Sequence, residues 1–175
     1  FLIGLFGAIG FLSKYLFVYL LVSIFLLFIY LILIKKNRKF DFKYFITLEV
    51  FIILLVPHFL WLIENDFITV SYGLNRSSLT EQLLINHFYN PVIFLFKQFF
   101  IILPLFIMII SLLKSRKLKF SIKNKNHLFL FFVTIFPIIL VLITSVVTGA
   151  KIRTMWLTPF YLFIGVLFFE IFKKS

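Results

Sequence analysis

Residues Pro57–Arg76 read PHFLWLIENDFITVSYGLNR. The stretch begins inside a long apolar run and leaves it through Trp61–Asp66. A plain membrane anchor stops at Asp66. This one continues as a half-apolar segment containing Tyr72, Asn75 and Arg76. A segment that exits hydrocarbon but stays partly apolar is suited to lie along the membrane surface. The stretch therefore points to helices that cross a bilayer, with a surface-lying piece between two of them.

The apolar runs on either side agree. Of the 175 residues, 63% are hydrophobic and 28 are Phe; mean hydropathy is +1.15. A soluble domain is nearer about 45–50% apolar. Six segments are predicted as spans: Phe1–Ser13, Leu16–Ile34, Tyr44–Ile63, Pro91–Leu113, His127–Val147 and Met155–Phe172. All but the first approach the roughly 20 residues that a helix needs to cross hydrocarbon. Backbone polar groups must be satisfied inside lipid, so the spans are helical. The predicted fold is all-α: a polytopic transmembrane bundle of about six spans in one domain, 1–175, with an external amphipathic loop segment. The chain begins at Phe1, with neither an initiating Met nor a signal-peptide charge pattern, and the expectation is a later part of a larger membrane protein.

The net charge of +12 does not mark a nucleic-acid binder, because it lies in short clusters between apolar runs. Thirteen of the 18 basic residues fall in three places. Lys35, Lys36, Arg38, Lys39 and Lys43 separate the second and third spans. Lys114, Arg116, Lys117, Lys119, Lys123 and Lys125 separate the fourth and fifth. Lys173 and Lys174 follow the last. Span alternation puts all three on one side, which the positive-inside rule makes cytoplasmic. The Lys14–Tyr15 corner, the loop Glu64–Asn90 and the turn Thr148–Thr154 are then external. There is no Cys, which excludes disulfides and thiolate metal sites.

Five basic residues remain: Lys14, Arg76, Lys97, Lys151 and Arg153. Lys151 and Arg153 share one short turn. Arg can hold a phosphate bidentately and Lys as a point charge; the plain alternative is two cations that meet lipid headgroups. Lys14 ends a helix with Gly4, Gly7 and Gly10, a spacing that allows close helix packing; alternatively it snorkels. Lys97 and Gln98 lie about two turns inside the fourth span, where a cation must snorkel, pair or face water, and Gln98 is expected to pack on a neighbouring helix. His58, Trp61 and Glu64 share a helix face, which offers a His/Glu acid–base pair or a core histidine beside an interface tryptophan. Glu64 and Asp66 follow at the surface. Thr69–Leu84 is amphipathic, with Val70, Leu74, Leu79, Leu83 and Leu84 on its apolar side. Asn90-Pro91 is expected to punctuate the start of the fourth span, and Pro104 and Pro137 to kink the fourth and fifth. His58 and His87 make no metal pattern. No Gly-rich phosphate loop, nucleophile elbow or zinc motif is present.

Four segments then occur in order: FLSKYLF (11–17), PHFLWLIENDFITVSYGLNR (57–76), NPVIFLFKQFFIILPLF (90–106) and KIRTMWLTPFYLF (151–163). Together they resemble the later membrane half of GT-C glycosyltransferases of the protein-mannosyltransferase-like superfamily, which includes bacterial relatives of the aminoarabinose lipid A transferase. The resemblance runs through most of the chain. It implies an integral protein of a bacterial inner membrane that moves a sugar from a polyprenyl-phosphate carrier to a glycan, lipid or protein acceptor on the periplasmic face. It implies a catalytic acidic residue in a first external loop upstream of this region, and a divalent metal that varies among relatives. It nominates Lys14, with Tyr15, as a ligand of the carrier phosphate. It places Lys151, Arg153 and Trp156 near the cavity, with Met155 where Asn is commoner. With His58, Trp61, Glu64, Asp66 and Arg76 from the exit segment, these form the expected substrate-binding set. The alternatives from other classes are a transporter or lipid flippase, suggested by Lys97, Glu49 and the prolines, and a structural membrane subunit without a catalytic site.

Overall fold

Glycine spacing in the first apolar run decides how the first helices pack. The computed structural model describes residues 1–34, 41–77, 84–112 and 124–172. Those residues are helical apart from short turns and corners, without a strand. The helices are α1 (Leu2–Ser13), α2 (Val18–Ile29), α3 (Lys43–Glu64), α4 (Ile68–Ser77), α5 (Asn86–Leu112), α6 (Lys125–Thr148) and α7 (Ile164–Phe172). The chain divides into two units, Phe1–Arg76 and Ser77–Ser175.

In the first unit α1 packs on α3. Gly4 and Gly7 are buried. A Cβ on Gly4 would collide with the Thr47 carbonyl, and one on Gly7 would sit 3.4 Å from the Phe51 ring. Lys14 turns extended, at φ −159° and ψ 116°, and ends α1. A single 3-10 turn, Tyr15–Phe17, then leads into α2. The α2 helix finishes in a π-helical turn, Tyr30–Ile34.

The break read at Trp61–Asp66 is a tight turn. Asn65 caps α3 by bonding the Trp61 carbonyl through both its backbone and side-chain nitrogens. Asp66 and Phe67 then take left-handed backbone angles, φ 48° and 53°. Two consecutive non-glycine residues there cost about 1–2 kcal/mol each. The turn is closed by Phe67 N–H donating to the Leu62 carbonyl at 2.9 Å. The α4 helix follows at once. The surface-lying segment is therefore helical over Ile68–Ser77; the part of that expectation at 78–83 lies outside the described residues.

In the second unit α5 and α6 are antiparallel, and the segment after α6 folds back onto both. Its core holds Phe94, Leu128, Val133, Val141, Leu157, Phe160, Ile164 and Leu167. Small or polar groups are buried with them: Asn90, Gln98, Thr134 and Ser145. The outside is apolar instead, with Phe96 65% and Phe169 65% exposed. Polar inside and aromatic outside is the arrangement expected when the solvent is lipid.

Four described helices are long and apolar enough to cross a membrane: Tyr15–Ile34, Lys43–Glu64, Asn86–Ile110 and Lys125–Thr148. The expected Met155–Phe172 helix is instead a 3-10 segment, Thr154–Tyr161, joined to α7 at a 44° bend. Pro159 lies inside the 3-10 segment, two residues before its end at Tyr161; its missing N–H cannot donate to a helix bond. Counted as one span, the pair makes five. A sixth is not shown among the described residues: the 12 residues of α1 extend only about 18 Å, short of roughly 30 Å of hydrocarbon. The Asn90-Pro91 boundary is also corrected: α5 begins at Asn86 and runs through both Pro91 and Pro104. Pro137 likewise lies inside continuous helix. The basic clusters at 35–39, 114–123 and 173–174 lie outside the described residues.

Candidate functional site

At one end of the second unit, the first turns of α5 meet the last turn of α6. The final carbonyls of a helix have no intrahelical partner. Here side chains supply the missing donors. His87 Nδ1 bonds the Val146 carbonyl at 2.7 Å, Asn90 Nδ2 donates to the Gly149 carbonyl at 2.7 Å, and Ser145 Oγ donates to the Ala150 carbonyl at 2.8 Å. Gly149 takes the left-handed cap, φ 67°, and its N–H bonds the Ser145 carbonyl at 2.8 Å. A Cβ there would lie 3.2 Å from His87 Nε2. Further on, Gln98 Nε2 reaches the Thr154 carbonyl at 3.4 Å, and the Tyr161 hydroxyl donates to Gln98 Oε1. Gln98 thus packs on the neighbouring segment, as expected.

This network fixes the backbone from Ser145 to Thr154 and leaves two cations standing on it. Lys151 and Arg153 are exposed, while Ile152 between them is half-buried. Arg153 is extended, φ −82° and ψ 131°, a conformation in which alternate residues share a side. Neither side chain has an ion pair or hydrogen bond among the described residues. Trp156 is half-buried, with its N–H bonded to the Arg153 carbonyl at 3.0 Å. Lys151, Arg153 and Trp156 thus lie on one short stretch of backbone in the second unit.

The first unit has a separate cluster. Tyr15 Oη is 2.8 Å from His58 Nε2 and 2.7 Å from Thr69 Oγ1. The corner after α1, the last turns of α3 and the start of α4 are thereby joined by one hydroxyl. The His58 and Trp61 rings stack with centroids 6.0 Å apart, so the shared helix face expected for them is present. Of the two readings offered for His58, the His/Glu pair is not seen: Glu64 is exposed, and His58 Nε2 is bonded to Tyr15. Asp66 is exposed in the left-handed turn. Lys14 is half-buried at the corner. Arg76 donates to the Tyr72 hydroxyl at 2.6 Å, and its guanidinium lies 5.4 Å from the Tyr72 ring centre, so these two form a local pair on α4. An open apolar groove of about 410 Å³ lies nearby, lined by Phe11, Leu21, Phe25, Phe51 and Leu55; it contains none of the polar candidates.

Sequence reasoning missed His87, Asn90, Thr69 and Gly149. A signal existed for the first two, since three-residue spacing puts them on one helix face. Nothing in the sequence pairs that face with residues 146–150. Among the described residues no group of three or more His, Asp or Glu is placed to hold a metal ion. No family model, curated protein or solved structure matches the chain. The glycosyltransferase resemblance therefore rests on the four motifs alone.

Proposed function

We propose that this integral membrane protein binds the phosphate of a lipid at the Lys151/Arg153 turn. In its most specific form, the reading is of a glycosyltransferase that moves a sugar from a polyprenyl-phosphate carrier to an acceptor on the external face of a bacterial inner membrane. The observation that carries it is the pinned turn. Two cations stand on a backbone whose carbonyls are tied by His87, Asn90, Ser145 and Gln98. A phosphate placed there meets two cations on a tied backbone, so only their side chains have to be ordered on binding. Arg153 offers a planar fork and Lys151 a mobile point charge.

The orientation belongs to the same proposal and is supported by the three basic clusters. So does the count of six spans, with α1 as a short sixth crossing accommodated by local thinning of the bilayer. Lys14, Tyr15, His58 and Trp61 enter as a second, separately described polar cluster. The transport alternative gains little, because Lys97 and Glu49 are both exposed, whereas charges along a membrane path face inward.

The test is transfer by the full chain in nanodiscs, supplied with labelled polyprenyl-phosphate sugars. Donor-dependent labelling of an acceptor that falls at least about tenfold in Lys151→Ala/Arg153→Ala supports the reading. Failure to bind any donor, or labelling that ignores both substitutions, removes it.

A further inference from the structure

The fixed end of the second unit contains a third group that the two cations do not explain. The carbonyl of Val146 can only accept, so the 2.7 Å contact fixes the proton of His87 on Nδ1. In the neutral ring, Nε2 is then an acceptor. That nitrogen has no partner among the described residues, and the ring is half-buried. It lies 3.2 Å from the position a Cβ on Gly149 would occupy, so the absence of that Cβ keeps it open. Lys151 follows Gly149 by two residues, at most about 7 Å of chain. Among the described residues, no carboxylate is bonded to the ring. Glu170, the one described acid of the second unit, is on α7 beside Asn126, at the opposite end of α6. Among the described residues of the second unit, the charged side chains nearest this end in sequence are Lys151 and Arg153; Ser77 accepts the Lys151 N–H at 3.0 Å, and the ends of α5 and α6 carry Asn86, His87, Tyr89, Asn90 and Thr148.

We propose that His87 Nε2 makes this site selective for a phosphomonoester lipid over a phosphodiester lipid. A phosphomonoester carries a proton that titrates near about pH 6, and a diester has none to share. The imidazole and the monoester can hold one proton between them in either arrangement. Nε2 accepts from a P–OH group, or a protonated Nε2 donates to the dianion. A diester gains only the second arrangement. This rests on the lipid-phosphate reading above and sharpens it. Sugar transfer breaks the bond between the anomeric carbon and the phosphate oxygen. The electron pair stays on that oxygen, and the acceptor oxygen forms the new bond and gives up its proton, which ends on the released phosphomonoester or in water. A diester carrier thereby becomes a monoester, so His87 would hold the spent carrier more tightly than the donor.

The experiment uses the full chain in phosphatidylcholine nanodiscs doped with phosphatidic acid, a monoester, or phosphatidylglycerol, a diester. Bound lipid is counted by native mass spectrometry. The wild type should prefer phosphatidic acid by about tenfold, the scale of one charge-assisted hydrogen bond. His87→Asn keeps a donor at the Nδ1 position and removes Nε2, so the preference should fall to near unity while both lipids still bind. A preference that survives His87→Asn overturns the inference and leaves the lipid-phosphate reading intact. Binding of both lipids that ignores Lys151→Ala/Arg153→Ala overturns the reading itself. Displacement of phosphatidic acid by excess inorganic phosphate overturns the lipid source. Histidine 15N spectra of the wild type give a readout free of substitution. The Nε2 resonance should move further with phosphatidic acid than with phosphatidylglycerol; an Nε2 that moves equally with both, or with neither, sinks the proposal.

Discussion

Asn90 Nδ2 donates to the carbonyl of Gly149 across 2.7 Å, 59 residues away in sequence. Asn90 is only 7% exposed, so neither group has water to fall back on. The bond ties the first turns of α5 to the corner that ends α6, and it fixes the path of the chain into Lys151 and Arg153. Asn90→Asp keeps the shape and abolishes the donor, setting a carboxylate against a carbonyl. A loss of about 1–3 kcal/mol is expected, seen as a lower unfolding temperature in detergent. A variant as stable as wild type would show that the bond does not hold the corner.

Gly149 is constrained twice, by φ 67° and by the His87 ring 3.2 Å from its missing Cβ. Gly149→Ala should destabilise by about 1–2 kcal/mol. It should also weaken anion binding more than Asn90→Asp does, because the methyl group lands against Nε2. Thermal unfolding and lipid retention measured on the same sample separate the two effects.

Two glycines in the first unit should respond with opposite signs. Gly4 is buried, and a Cβ there runs into the Thr47 backbone, so Gly4→Ala forces α1 off α3. Gly73 lies within α4 with nothing within 4 Å of its would-be Cβ. Gly73→Ala should stabilise α4 by about 0.5–1 kcal/mol, the usual cost of an exposed helical glycine. Hydrogen exchange resolved to residues 2–13 and 68–77 tests both.

Tyr15→Phe removes one hydroxyl and two hydrogen bonds, to His58 and to Thr69. A loss of about 1–2 kcal/mol is expected, concentrated in the exchange rates of α4. If residues 68–77 stay as protected as before, the hydroxyl is not what seats that helix.

The spans were legible because lipid imposes a simple rule: long apolar runs must be helices. Tyr44–Ile63 was read within one residue of Lys43–Glu64 at each end, since the charges flanking it mark the limits of hydrocarbon. Prolines were less legible. Pro91 looks like a boundary by local chemistry, yet α5 passes through it, whereas Pro159 lies in a 3-10 segment that ends two residues later. The difference lies in tertiary context, not in the dipeptides. The cations Lys151 and Arg153 stood out because they are few and local. The groups that fix them did not, because His87 and Asn90 meet Val146 and Gly149 only after α5 and α6 pack. His58 was legible as a histidine that finds a partner, but not which one: helix periodicity offered Glu64, and the structure pairs it with Tyr15, 43 residues away.

The most direct test of the central claim is equilibrium binding of polyprenyl phosphate to the full chain in nanodiscs. Wild type, Lys151→Ala/Arg153→Ala and Lys97→Ala are compared. Lys97 is an exposed cation on α5 outside the pinned turn, and it controls for the loss of positive charge. The account predicts at least about tenfold weaker binding for the double variant and little change for Lys97→Ala. Equal binding by all three proteins would contradict it.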